Sequence, residues 1–126
     1  MSRALGFVNT PQGIVRYDIF VAALFKQDTK EMMLNHAALG VAGEAGEVAD
    51  LIKKEVHYGK PTFLEDILEE LGDVRFYLQA VMNLYGVSEQ AILDYNAEKL
   101  MKRYPSGLFS KEDAIARKDK EEGEVK

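Results

Sequence analysis

Between Leu34 and Ile52, apolar residues fall three or four positions apart: Leu34, Ala38, Val41, Ala45, Val48, Ile52. A second series, Ile67, Leu71, Val74, Leu78, Val81 and Tyr85, repeats the pattern. That spacing lines apolar side chains along one face of an α-helix, whereas a half-buried strand would alternate them every second residue. No stretch carries convincing strand alternation between turn signals, so the chain reads as all-α.

The punctuation divides the pattern into helices. Asp28-x-x-Glu31 and Thr62-x-x-Glu65 have the form of capping boxes ahead of the two long series. His57, Gly59 and Pro61 mark the end of the first long helix, and Gly86 the end of the second. Ser88 is a candidate N-cap for a further helix over about 89–104, stopped by Pro105 and Gly107. A shorter helix near Val15, Ile19 and Ala22 precedes Asp28. The expected architecture is a small antiparallel helix bundle of four main helices plus a short terminal one. Its parts are an N-terminal segment with a short helix (1–28), a helical core (29–109) and a charged C-terminal helix or tail (110–126).

Composition removes several function classes. The 126 residues contain no cysteine, which excludes disulfides, zinc thiolates and cysteine nucleophiles. The net charge of −5 comes without a long basic patch, so general nucleic-acid binding is not expected. No apolar run approaches a membrane span or a signal-peptide core, and a cytoplasmic protein without membrane association is expected. A core this small makes self-association into a dimer or tetramer a natural way to bury more apolar area.

The chemistry resides in carboxylates. Glu44 and Glu47 lie three residues apart on one side of the first long helix, away from the Val41, Ala45, Val48 stripe. Glu70 and Asp73 repeat the spacing on the next helix, with Asp66 a turn earlier. A single such pair would be an ordinary solvated face. Here Gly43 and Gly46 accompany the first pair and Gly72 the second, although each helical glycine costs roughly 1 kcal/mol relative to alanine. Their missing side chains would let the helices approach closely or leave room for a ligand. Oxygen donors alone favour Mg²⁺, with Mn²⁺ as a substitute, over zinc. A di-iron bundle would need Glu-x-x-His pairs, but Met33 and Lys54 stand three residues before His36 and His57.

Asn96, Lys99 and Arg103 form one polar stripe on the fourth helix that ends in cations suited to phosphate, while Leu93, Leu100 and Tyr104 can serve the core. Lys54 returns to the Glu47 face two turns on. His36 lies toward the acidic face but reads as a structural histidine. Tyr17, Phe20, Phe25, Tyr77 and Phe109, like Met32 and Met33, read as packing residues.

The segment Gly40-Val-Ala-Gly-Glu44-Ala-Gly-Glu47-Val-Ala-Asp50, followed by Glu69-Glu70-Leu-Gly-Asp73-Val, resembles the MazG-like all-α nucleoside triphosphate pyrophosphohydrolases. Asn96-x-x-Lys99-x-x-x-Arg103-Tyr104-Pro105 resembles the stretch that completes their nucleotide site. The loop Ser106-Gly107-Leu108-Phe109 departs from the family by one extra residue. The resemblance implies Mg²⁺-dependent hydrolysis of (deoxy)nucleoside triphosphates at the α-phosphorus, giving a monophosphate and pyrophosphate. It implies metal ligation by Glu44, Glu47, Glu70 and Asp73, with Glu47 also the candidate general base. Lys54, Asn96, Lys99, Arg103 and Tyr104 would contact the nucleotide. A specialised dUTP or dCTP pyrophosphatase, a phosphoribosyl-ATP pyrophosphatase, or a non-enzymatic acidic interaction module are the alternatives.

Overall fold

The computed structural model describes residues 6–120. Among them are five helices and one antiparallel hairpin, in the order β1 (Phe7–Thr10), β2 (Gly13–Arg16), α1 (Tyr17–Leu24), α2 (Lys30–Tyr58), α3 (Leu64–Tyr85), α4 (Glu89–Arg103) and α5 (Lys111–Ala116). The protein is mostly helical, as its periodicity implies, and the hairpin corrects the strand-free expectation. Val8 pairs with Val15 and Asn9 with Ile14 across a turn at Pro11-Gln12. The Thr10 hydroxyl pins this turn by donating to the Gly13 carbonyl at 2.8 Å and accepting from the Gln12 N–H at 3.2 Å. With four residues per strand and no Asn-Gly or Asp-Gly turn, the pattern is too short to stand out in the sequence.

Contacts divide the chain into two compact units, with the boundary between Gly86 and Val87. In the first, α2 and α3 pack along most of their length, and α1 lies against α3. The core gathers Val21 and Phe25 at the end of α1, Ala37 on α2 and Ala80 on α3, ringed by Tyr17, Phe20, Met33, Phe76, Tyr77 and Leu84. Asn83 ties α1 to α3: its amide donates to the Asp18 carbonyl at 2.9 Å and accepts from buried Gln79, also at 2.9 Å.

The helix ends differ from the expected boxes in detail. α2 is capped by Thr29, whose hydroxyl accepts from the Met32 N–H, while Asp28 accepts from the Thr29 N–H. α3 has Phe63 at its N-cap with no side-chain cap, and Thr62 instead donates to the Leu51 carbonyl at 3.4 Å. Both long helices stop where glycine takes up the left-handed conformation, Gly59 at φ 64° and Gly86 at φ 68°.

The seam between α2 and α3 takes in only part of the apolar series: Leu34, Val41 and Val48 on α2 and Ile67, Val74 and Val81 on α3 are half-buried. Ala37, Gly40 and Glu44 succeed one another at helical spacing. A side chain at Gly40 would overlap the Tyr77 ring of α3, so Gly40 is the glycine that permits close approach. Ile52 and Leu71 of the apolar series remain 48% and 49% exposed, and Ala38 and Ala45 are exposed as well. A pair of helices buries one stripe each against the other, and here Glu44 and Glu70 share the half-buried side with alternate members of the apolar series, while the other members, Glu47 and Asp73 stay exposed.

In the second unit, Ser88 caps α4 by accepting from the Ala91 N–H at 3.1 Å, as the sequence implies. α4 has no buried residue, and Leu93, expected to serve the core, is exposed. α5 is capped by Ser110, which accepts from the Asp113 N–H, and packs against α4.

Candidate functional site

Continuing along the α2–α3 seam from Gly40 and Tyr77, the next turns bring Glu44 of α2 to Glu70 and Asp73 of α3. One carboxylate oxygen from each lies within 4.8 Å of the others, a spacing from which three ligands can meet one cation. Glu44 and Glu70 are half-buried and Asp73 is exposed. Partial burial, then the negative charges of Glu44, Glu47 and Asp73, push the Glu70 carboxyl above its ordinary range. An arrangement that holds like charges together against both desolvation and repulsion favours an added cation.

Glu47 is not part of this triad, although its charge bears on Glu70. Lys54 is turned to its own helix, paired with Asp50 at 2.8 Å in an exposed i,i+4 bridge. Around Gly43, Gly46 and Gly72, a side-chain carbon would meet nothing within 4 Å. Close approach of α2 and α3 is therefore not what these three glycines serve; all three are exposed. The donor set of three oxygens with space alongside fits a hard divalent cation that keeps positions for water and phosphate.

His36 stacks on Phe25 with ring centroids 4.7 Å apart and meets Tyr77 edge-on at 5.8 Å. This makes it one side of the aromatic cluster, exposed where a structural histidine would be half-buried. On the second unit, Asn96 and Lys99 line a cavity of about 500 Å³ together with Val87, Ala91, Ile92 and Tyr95. The apolar part of that lining was missed in the sequence, though Ile92 and Tyr95 sit one turn before Asn96 and Lys99. Arg103 does not line the cavity: its guanidinium forks onto Asp119, with Nε to Oδ1 at 2.8 Å and Nη2 to Oδ2 at 3.0 Å. Tyr104 is the C-cap of α4 and lies beside Phe109 with ring centroids 6.0 Å apart.

A comparison with protein families finds the MazG nucleotide pyrophosphohydrolase domain over residues 33–108, more than half of the chain. The chain belongs to the MazG nucleotide pyrophosphohydrolase family. This is a hydrolase family whose enzymes are generally dependent on divalent metal, and the matched region contains the whole acidic triad. Among curated proteins the chain is similar to the Gene 37 protein of Mycobacterium phage L5, 30% identical over 80 residues that cover 60% of this chain and 70% of the relative. No solved structure matches. Among the described residues no helix is long and apolar enough to cross a membrane.

Proposed function

We propose that this MazG-family chain hydrolyses (deoxy)nucleoside triphosphates at the α-phosphorus, with Mg²⁺ held by Glu44, Glu70 and Asp73. The observation that carries the proposal is the convergence of those three carboxylates within the region that matches the family. A divalent cation there supplies positive charge against a triphosphate and makes water a better nucleophile at neutral pH. Glu47 lies on the same helix face one turn on, outside the triad, and is the base in this proposal. It takes a proton as the water oxygen bonds to the α-phosphorus, and the bond to the bridging oxygen breaks so that pyrophosphate leaves. Lys99 and Arg103 neutralise the phosphate chain, Asn96 and Tyr104 contact the nucleotide, and Lys54 exchanges Asp50 for phosphate. Mn²⁺ substitutes for Mg²⁺ because both prefer oxygen donors.

Calorimetric titration tests the metal and nucleotide together. Mg²⁺ is expected to bind weakly alone and more tightly with a non-hydrolysable triphosphate, each raising the affinity for the other. Binding of either without effect on the other would contradict the proposal. A panel of canonical and modified nucleotides, with pyrophosphate detection, then separates a broad hydrolase from a dUTP, dCTP or phosphoribosyl-ATP pyrophosphatase.

Exposed apolar residues on α2 and α3 support a homodimer or homotetramer as the working form. Leu39, Ile52, Val56, Leu68 and Leu71 are large, exposed and carried on the two packed helices. Light scattering is expected to give two or four times the 14.1 kDa chain mass. A single-chain mass at micromolar concentration would rule out a stable oligomer.

A further inference from the structure

The end of the second unit is built around one carboxylate. α5 closes at Arg117, which adopts the left-handed conformation (φ 51°, ψ 48°) and is the one non-glycine residue with positive φ among those described. A non-glycine residue there costs on the order of 1 kcal/mol, and the surrounding contacts must hold it in place. The Lys120 N–H donates to the Arg117 carbonyl at 2.9 Å and tightens the turn. The turn returns Asp119 to the last turn of α4, where Arg103 takes both of its oxygens. Arg117 approaches the same two oxygens at 3.3 and 3.4 Å.

The Asp119 side chain is 0% exposed and that of Arg103 19%. The fork with Arg103, aided by Arg117, holds the Asp119 carboxyl well below the usual carboxylate range. A shielded carboxylate whose partner leaves is disfavoured, which makes the pair a brace rather than a cover that substrate displaces. The fork engages Nε and Nη2, which fixes the guanidinium plane. Two guanidinium groups share the one carboxylate, so the three groups together carry a net positive charge. A long flexible cation already held in one orientation loses less freedom when it meets an anion.

We propose that Asp119 is a positioning residue for substrate binding, acting through Arg103 by holding its guanidinium ready for the phosphate chain. This rests on the assignment of Arg103 to phosphate made above. The test uses the full chain with Asp119→Asn, Asp119→Glu, Arg103→Ala and the Asp119→Asn/Arg103→Ala double variant. Asn keeps the shape but turns an amide N–H toward a guanidinium. Asp119→Asn is expected to raise KM for the triphosphate about tenfold while kcat changes little, since a charge-assisted fork is lost. Asp119→Glu restores part of the affinity, and the double variant is no worse than Arg103→Ala alone. Where turnover is too slow, the dissociation constant of a non-hydrolysable triphosphate is the readout. A purely structural Asp119 would lower the melting temperature and leave KM unchanged, and that result overturns the proposal. A lower KM in Asp119→Asn would also overturn it, because Asp119 would then be blocking Arg103. Unchanged KM in Arg103→Ala removes the phosphate role of Arg103 itself, and with it the role of Asp119, while the metal triad stands on its own test.

Discussion

Replacing Glu70 with glutamine is expected to reduce Mg²⁺-dependent nucleotide hydrolysis at least about a hundredfold, with helicity unchanged and the metal-free protein more stable. Losing a residue that only orients a metal ligand commonly costs 10–100-fold, so loss of a ligand should reach the top of that range. The stability gain follows from the seam. Glu70 is half-buried among Glu44, Glu47 and Asp73, and its carboxyl binds a proton more tightly in the folded chain than in the unfolded one. Its contribution to stability is therefore fully present below the ordinary glutamate range and is lost as pH rises through the raised folded value. At neutral pH the ionised group opposes folding, and the neutral glutamine removes that opposition. The melting temperature of the variant in chelator should exceed that of the parent at pH 7, and the gap should close on acidification. For the same reason, Mg²⁺ affinity of the parent should weaken as pH falls toward the Glu70 range, because proton and metal compete for one carboxylate. A Glu70→Gln variant that hydrolyses nucleotide at the parent rate would remove Glu70 from the site.

Gly40→Ala is expected to destabilise the protein by on the order of 2 kcal/mol, whereas the same change at Gly43, Gly46 or Gly72 should leave stability unchanged or raise it by up to about 1 kcal/mol. The four glycines share a helical setting and differ in what a methyl group would meet: the Tyr77 ring at Gly40, and nothing within 4 Å at the other three. At Gly40 the helix-propensity gain is outweighed by the strain of moving α2 from α3 or Tyr77 from the aromatic cluster it forms with Phe25, His36 and Phe76. At the others the gain stands alone. Thermal melts of the four alanine variants check this, and equal melts would refute the seam. Activity separates the possible uses of the open space. If nucleotide occupies it, Gly43→Ala or Gly46→Ala lowers turnover without lowering the oligomer mass. A fall in mass and stability together would place a second copy there and contradict the expected gain.

Much of the acidic cluster was legible because its members lie close in sequence. Glu44, Glu70 and Asp73 came from i,i+3 spacing, and helical periodicity placed them on two consecutive helices. What spacing does not carry is which stripe of an amphipathic helix meets its neighbour. Of the apolar series from Leu34 to Ile52, Leu34, Val41 and Val48 are half-buried while Ala38, Ala45 and Ile52 are exposed, and Ala37, Gly40 and Glu44 share the seam, because a short chain with two long helices has more apolar surface than one contact can bury. Glu47 satisfied the spacing and still fell outside the triad. Arg103 was legible as a cation, but its partner was not: Asp119 lies 16 residues away, and the turn at Arg117 that returns it has no glycine to announce it. The hairpin escaped for a related reason, its four-residue strands being joined by Pro11-Gln12 without a strong turn dipeptide.

Phosphorus NMR of a nucleoside triphosphate incubated with the full chain and Mg²⁺ tests the central claim most directly, because it identifies the bond that breaks. Nucleoside monophosphate and pyrophosphate are expected in equal amounts, with neither formed in chelator nor, at comparable rate, by the Glu70→Gln variant. Release of orthophosphate with nucleoside diphosphate, or product formation that survives both chelation and loss of Glu70, would contradict it.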